Sequence, residues 1–94
     1  MNATVVTMKI DASRSEDVDR HLREDVVPFA KRQPGFVSGQ WLRLADGDRG
    51  IGVMVFESEE QANAAARGPG SQPWVEGRPW NIESVAVFEL VVQA

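Results

Sequence analysis

Residues 36–57, FVSGQWLRLADGDRGIGVMVFE, predict a β-hairpin at the centre of the chain. Two runs rich in β-branched, aromatic and other apolar residues, 36–44 and 50–57, flank residues 45–49, where Asp and Gly predominate. Such runs, bounded by turn-forming residues, are typical of paired strands. We therefore expect these two runs to form antiparallel neighbours in a sheet.

A kinked amphipathic helix is predicted before this hairpin. Ser13 and Glu16 have the three-residue spacing of a capping box, which marks a helix start. Four apolar residues then recur with the spacing of one helix face: Val18, Leu22, Val26 and Phe29. Pro28 has no N–H to donate, and it disfavours helical geometry in the residue before it. We expect a kink or a restart at Pro28 and an end to the helix by residue 33.

A second helix and two outer strands complete the predicted domain. Ser58 and Gln61 form another capping-box pattern ahead of an alanine-rich segment, and residues 4–10 and 82–92 are β-branched runs typical of strands. The resulting order is β-α-β-β-α-β, that of the ferredoxin-like fold. This is an α+β arrangement in which one four-stranded antiparallel sheet carries both helices on one face. The 94 residues are predicted to form a single domain, 1–94.

Alternation along the predicted strands divides their side chains between two faces of the sheet. The face under the helices is predicted to contain Met8, Ile10, Phe36, Leu42, Leu44, Met54, Phe56, Phe88 and Leu90. The opposite face is predicted to contain Val5, Thr7, Lys9, Val37, Gly39, Trp41, Arg43, Ile51, Val53, Val55, Val85, Val87, Glu89 and Val91. This opposite face is too apolar for water, so we expect a second copy of the chain to cover it in a homodimer. A bulge near Ser38 and Gly39 would reverse the faces of Trp41 and Arg43.

The composition argues against several classes of function. A formal net charge of −4 and scattered basic residues argue against nucleic-acid binding. The absence of cysteine excludes disulfides, thiolate catalysis and cysteine metal sites, and no other motif suggests a metal. Gly50 and Gly52 lack the third glycine and the following helix of a dinucleotide-binding loop. No apolar run is long enough to span a membrane and no targeting peptide is recognisable, so we expect a cytoplasmic protein without membrane contact.

The stretch 26–65, VVPFAKRQPGFVSGQWLRLADGDRGIGVMVFESEEQANAA, resembles the dimeric α+β barrel superfamily, and most closely its antibiotic-biosynthesis-monooxygenase-like (ABM-like) proteins. A kinked helix end leads through Pro-Gly-Phe into a Trp-bearing strand, a hairpin, an apolar strand ending in Phe-Glu, and an acidic-capped second helix. The resemblance implies two ferredoxin-like subunits packed sheet against sheet. It is less specific for function, because the superfamily includes monooxygenases of aromatic polyketides, haem-degrading enzymes and members with no known activity.

Two functions are compatible with this resemblance. The first is a cofactor-independent monooxygenase, or a related enzyme, that acts on an aromatic or hydrophobic small molecule and needs no cofactor. The alternative is a non-catalytic dimeric barrel that binds a hydrophobic ligand or acts as an interaction or stress-related module. The haem-degrading members carry an iron-ligating histidine on the second helix, whereas the one histidine here is His21 on the first, so the resemblance does not support haem ligation.

Seven residues are candidates for a functional site. His21 is a catalytic candidate as a general base, or else a boundary histidine paired with a carboxylate. Arg43, the second catalytic candidate, could orient an aromatic ligand together with Trp41, or both could anchor the dimer interface. The other four lie in or next to the Gly- and Pro-rich segment 68–80, GPGSQPWVEGRPW: Trp74, Arg78, Trp80 and Asn81. These residues either wall the mouth of a ligand chamber, or the tryptophans among them cap the core or the neighbouring subunit.

Overall fold

The computed structural model describes residues 1–67 and 77–94. Its helices and strands follow the order β1 (Asn2–Ile10), α1 (Ser15–His21), α2 (Val27–Lys31), β2 (Phe36–Arg43), β3 (Arg49–Phe56), α3 (Glu59–Ala66) and β4 (Trp80–Glu89). All strand pairs are antiparallel, and the order across the sheet is β2-β3-β1-β4. The predicted ferredoxin-like α+β architecture is therefore confirmed.

The first predicted helix is divided as its proline suggested. A 3-10 turn, Ala12–Arg14, precedes α1, and a π-helical turn, Leu22–Val26, separates α1 from α2. Pro28 lies in the first turn of α2, where proline is best tolerated in a helix, and its missing N–H coincides with the end of the π-helical turn. The restart at Pro28 is thus confirmed, and the break takes the form of a wider helical turn, a feature that often marks functional sites.

The two predicted capping boxes have different outcomes. The Ser13–Glu16 box is wrong, because Asp11 is the cap and its carboxylate accepts from the Ser13 N–H at 3.0 Å and from the Ser13 hydroxyl at 2.6 Å. Asp11 therefore caps the 3-10 turn Ala12–Arg14, and α1 begins after this turn without a side-chain cap of its own. At the second box, the Ser58 hydroxyl accepts from the Gln61 N–H at 3.2 Å, as predicted.

The helices cover one face of the sheet, and the core lies between the helices and this face. Its main cluster consists of Met8, Ile10, Val18, Trp80 and Ile82. At the other end, the fully buried Thr4 hydroxyl donates to the Ala62 carbonyl at 2.6 Å, which ties α3 to the central strand β1.

Two β-bulges overturn part of the predicted division into faces. The register of β2 shifts between Phe36 and Ser38, so the residues that follow change sides. The possible bulge near Ser38 is therefore present, and Trp41 and Arg43 face the helices, contrary to the main prediction. By the same shift Gly39, predicted on the open face, is on the helix face. Conversely, Leu42 and Leu44 are wrongly predicted under the helices and are 55% and 53% exposed.

The second bulge lies in β4. Its register against β1 shifts between Thr7 and Met8, so the second half of β4 is also reversed. Val85 packs against the core instead of lying on the open face, and Phe88, predicted under the helices, is 55% exposed. Val87 and Glu89, predicted on the open face, pair instead with residues of β1 that face α3.

The open face of the sheet remains apolar after these corrections. Ile51 pairs with both Leu42 and Thr7, which places the three side chains side by side across three strands. Phe88 lies further along the same face, beside Ala3. The reversal brings Ser38 and Gln40 to the side away from the helices, but large exposed apolar side chains, among them Leu42, Ile51 and Phe88, remain there.

Candidate functional site

An apolar cavity lies between the sheet and the helices that cover it. Its volume is about 70 Å³. Its lining consists of Val6, Met8, Leu22, Val26, Phe29, Ala30, Gln33, Trp41, Met54, Ala65, Trp80 and Ile82. The π-helical turn contributes Leu22 and Val26, so the break in the first helix forms part of the wall. Gln33 is the one amide among apolar side chains, and its Nε2 donates to the Phe29 carbonyl at 3.1 Å.

Trp41 lies flat on the sheet because two glycines leave room for its ring. A Cβ on Gly52, its partner on β3, would be 2.9 Å from the indole Nε1, and a Cβ on Gly39 would be 2.8 Å from Cη2. Real Cβ contacts are essentially never this short. The pair of glycines therefore forms a seat for the indole, and the seated ring becomes the floor of the cavity.

Trp80 forms the wall that separates the cavity from the surface. It is the first residue of β4 and is only 5% exposed. Its Nε1–H donates to His21 Nδ1 at 2.8 Å. The Arg78 guanidinium carbon lies 3.7 Å from the centroid of the indole, and Arg78 Nε donates to the Trp80 carbonyl at 2.8 Å. These contacts combine a hydrogen bond with a cation–π interaction and fix the plane of the ring.

The hydrogen bond from Trp80 assigns the tautomer of His21. An indole nitrogen can only donate, so Nδ1 of His21 must be the accepting, unprotonated nitrogen. The proton of the neutral ring is therefore on Nε2, which lies 3.3 Å from Asp25 Oδ2. Asp25 therefore orients the imidazole of His21 as a carboxylate orients a catalytic base. The accepting nitrogen, however, is occupied by the indole N–H of Trp80.

A surface groove lies on the outer side of Trp80. It is lined by His21, Glu24, Asp25, Val26, Pro28, Phe29, Arg32, Arg78 and Trp80, and we call it the outer groove. Burial lowers the pKa of the Arg78 guanidinium below its ordinary value, because desolvation disfavours the charged form. Arginine nevertheless stays charged at neutral pH, so a partly desolvated cation lies directly against the wall of the apolar cavity.

The remaining site residues predicted from the sequence do not join this group. Arg43 faces α1, where it pairs with the Asp19 carboxylate and lies 3.5 Å from the Ser15 carbonyl, so it ties β2 to the helix. Asn81 follows Trp80 and pairs with Lys9 on the opposite face of the sheet. Trp74 lies outside the described residues. The structure thus brings together His21, Trp41, Arg78 and Trp80, and separates Arg43 and Asn81 from them.

Sequence reasoning missed several cavity residues. Met8 and Met54 were recognised as residues of the helix face but not as lining of a cavity. The role of Gly39 and Gly52 was also missed, because it depends on Trp41. This tryptophan lies in the same strand as Gly39 and in the strand adjacent to Gly52. A glycine directly across a hairpin from a tryptophan is the signal that could have revealed the seat.

Comparisons with known proteins identify the fold. No protein-family model and no curated protein matches the chain. Among solved structures, that of the heme-degrader MhuD from Mycobacterium tuberculosis, with two hemes bound in its active site, has a TM-score of 0.77. Its sequence identity is 21%, over 100% of this chain and 99% of that chain. SnoaB, a cofactor-independent oxygenase from Streptomyces nogalater, has a TM-score of 0.63 and 18% identity, over 98% and 95% of the two chains.

A third structure, a monooxygenase from Streptomyces coelicolor in complex with the ligand nanaomycin D, has a TM-score of 0.59. It is 17% identical over 99% of this chain and 92% of that chain. The chain has the ABM-like fold. The likeness extends over complete domains, and it confirms the resemblance inferred from residues 26–65.

The cavity of this ABM-like fold does not fit a haem group. Within residues 1–67 and 77–94 its lining contains no histidine, cysteine or tyrosine, and both ring nitrogens of His21 have polar partners. The thioethers of Met8 and Met54 are present, but methionine holds haem iron together with a histidine. Among the described residues there is also no cluster of three His, Asp or Glu side chains that could hold a metal ion.

In the ranges 1–67 and 77–94, no helix is both long enough and apolar enough to cross a lipid bilayer.

Proposed function

We propose that the chain is an ABM-like enzyme that binds a flat aromatic small molecule in the cavity between sheet and helices and oxidises it with O₂. One observation carries this proposal: the cavity has an indole floor, Trp41, and an indole wall, Trp80, within an otherwise apolar lining. Two indoles offer an aromatic ligand stacking and edge contacts, and pockets for small molecules combine such surfaces with a few polar groups.

The size of the cavity requires that the walls move when a ligand enters. Pockets for drug-sized ligands enclose roughly 300–1,000 Å³, whereas this cavity holds about 70 Å³. Met8 and Met54 line it, and unbranched thioether side chains adapt to new shapes at little cost. Phe29 is 38% exposed and can turn outward. The closed cavity is therefore expected to widen around a ring system.

The proposed chemistry assigns the electrons to the substrate. An anthrone-like substrate loses one proton, from its CH₂ group or equivalently from the phenolic hydroxyl of its enol form, and the resulting anion reduces O₂. One oxygen atom becomes a carbonyl oxygen in the product and the other leaves as water. The protein has three tasks: to exclude water, to hold the ring system, and to accept the proton. The apolar lining performs the first, Trp41 the second, and His21, in the outer groove behind Trp80, is the candidate for the third.

Oxygen consumption with anthrone and with hydroquinones tests this proposal. We expect Trp41→Ala to lower kcat/KM about tenfold or more, because an aromatic contact contributes about 0.5–1.5 kcal/mol beyond the area that it buries. Val37→Ala is the matched control, since Val37 is on the same strand and exposed but not part of the lining. No oxygen uptake by the wild type over a broad panel of phenols and anthrones would rule the enzyme out.

A second candidate function is the binding of a hydrophobic ligand without conversion. The observation in its favour is that Trp80 already occupies the basic nitrogen of His21, so this nitrogen is not free to accept a proton from a ligand. Tryptophan fluorescence separates the two functions. A ligand that quenches Trp41 or Trp80 emission and is recovered unchanged supports a binding or interaction module instead of an enzyme.

The proposed assembly is a homodimer in which the open faces of two sheets pack together. Large apolar side chains on that face support it, and we expect Ile51→Glu to raise the dimer dissociation constant at least about a hundredfold. Each copy would bring an unpaired carboxylate into the interface. Ala64→Glu is the control, because Ala64 is exposed on α3 away from this face. Light scattering that finds a monomeric wild type, or an Ile51→Glu dimer of unchanged stability, would contradict the assembly.

A cytoplasmic location stays a prediction from the sequence.

A further inference from the structure

We infer that Trp80 is a positioning residue: its indole withholds the proton-accepting nitrogen of His21 until a hydroxylated aromatic ligand displaces it. The inference rests on the proposed function, since it concerns how the same cavity admits and activates its ligand. Entry of the ligand and release of the base would then be one event.

The position of Trp80 links the inner cavity to the outer groove. Val26, Phe29 and Trp80 border both the inner cavity and the outer groove, so they form the partition between them. Trp80 is the member of this partition that also makes a polar side-chain contact, its hydrogen bond to His21 Nδ1. A ligand too large for the closed cavity that displaces the indole must therefore also break this hydrogen bond.

A phenolic hydroxyl is the chemistry that suits this exchange. It is a stronger acid than an indole N–H, and it can donate to the same nitrogen, so one donor replaces another at His21. A purely apolar ligand would leave Nδ1 without a partner, and an acceptor removed from water without a donor weakens the binding. The site therefore favours aromatic ligands that carry a hydroxyl over aromatic hydrocarbons of the same shape.

The charges around His21 support proton transfer once the exchange has occurred. The proton leaves the ligand oxygen, the O–H electron pair stays on that oxygen, and a new N–H bond forms at Nδ1. Asp25, next to Nε2, stabilises the imidazolium, and Arg78 and Arg32 border the same groove and favour the phenolate. Glu24 also faces the groove and opposes the phenolate, while Asp17 on the adjoining turn is paired with Arg14 and Arg20.

The first arm of the test uses the protein without ligand. Nitrogen NMR of the labelled imidazole is expected to show, in the wild type, a proton on Nε2 and a hydrogen-bonded, unprotonated Nδ1. Trp80→Phe keeps an aromatic ring without a donor, so the Nδ1 signal should move to that of a histidine free of this bond. Trp41→Phe is the control and should leave both signals unchanged. A wild-type Nδ1–H tautomer, or identical Nδ1 signals in Trp80→Phe and the wild type, would overturn the inference.

The second arm uses para-nitrophenol, whose phenolate absorbs visible light and whose acidity is near that of imidazole. Binding should quench tryptophan emission, shift the His21 Nδ1 signal to that of a protonated nitrogen, and increase the bound phenolate. His21→Gln offers Trp80 an acceptor but no base, and we expect about tenfold less phenolate relative to bound phenol, equivalent to one unit of pKa difference. Nitrobenzene, which has no hydroxyl, should bind more weakly than para-nitrophenol.

The outcomes separate the inference from the function on which it rests. Binding of para-nitrophenol with equal phenolate in His21→Gln and the wild type would overturn the coupling and leave the proposed binding site standing. If neither para-nitrophenol nor nitrobenzene binds, both the inference and the proposed binding site are overturned. If Trp80→Phe does not fold, the wild-type tautomer and the comparison with His21→Gln still decide.

Discussion

Replacement of Gly52 by alanine should displace the Trp41 indole and remove the floor of the cavity. The new Cβ would lie 2.9 Å from Nε1 and 3.0 Å from Cδ1 of the ring. The indole cannot slide along the sheet, because Gly39 is in contact with its other end. Insertion of a methyl group into a packed contact costs about 1–3 kcal/mol. We expect a loss of this size in the free energy of unfolding and at least about a tenfold loss of affinity for aromatic ligands.

A double-mutant cycle tests the physical reason for this effect. In a Trp41→Val background the Cβ at position 52 meets no ring, so Gly52→Ala should cost little or even stabilise the strand, where glycine is entropically unfavourable. The coupling between the two substitutions, measured by urea denaturation, should reach about 1–3 kcal/mol. Equal costs in the two backgrounds would mean that Gly52 is not the seat of Trp41.

Gly35→Ala is the second substitution with a large expected effect. Gly35 precedes β2 with φ of 77°, and a Cβ there would lie 1.8 Å from Gln61 Oε1. Its carbonyl accepts from the Glu57 N–H at 3.0 Å, so the backbone cannot simply turn away without loss of a hydrogen bond. Left-handed geometry costs about 1–3 kcal/mol. The clash is with the far end of the flexible Gln61 side chain, which can move aside at a smaller cost. We expect a destabilisation of about 1–3 kcal/mol in chemical denaturation.

Gly47 offers a matched control for this prediction. Its φ is 86°, but the nearest atom to an added Cβ is the Ala12 Cβ at 3.7 Å, an ordinary contact. Gly47→Ala should therefore show the backbone strain alone. Gln61→Ala should relieve the clash at position 35, so that the double variant loses no more stability than Gly47→Ala. If Gly35→Ala is as stable as Gly47→Ala, the clash with Gln61 is not significant.

Local patterns determined the element order correctly for a physical reason. The apolar stripe from Val18 to Phe29, the break at Pro28 and the cap at Ser58 all depend on residues within about one or two helical turns. Such short-range terms are present in the sequence itself. The ferredoxin-like order, and the resemblance to ABM-like proteins that followed from it, could therefore be predicted before any coordinates.

The candidate site was predictable only in part. His21, Trp41, Arg78 and Trp80 were selected by residue type, as titratable, aromatic or basic side chains that can accept a proton or orient a ligand. Their mutual arrangement was not predictable, and Arg43 was selected for the same reason although it serves as a tie between β2 and α1. Residue type indicates what a side chain can do, but not which side of a sheet it occupies.

The sequence by itself determined the fold class, the apolar character of both sheet faces and the set of aromatic and basic candidates. Only the tertiary structure decided that Trp41 faces the helices, because a single extra residue at a bulge reverses every side chain that follows it. It also decided that Trp80 binds His21 across 59 positions of sequence. Alternation and capping are local, whereas register and the contact between a helix and a distant strand depend on the packing of the whole chain.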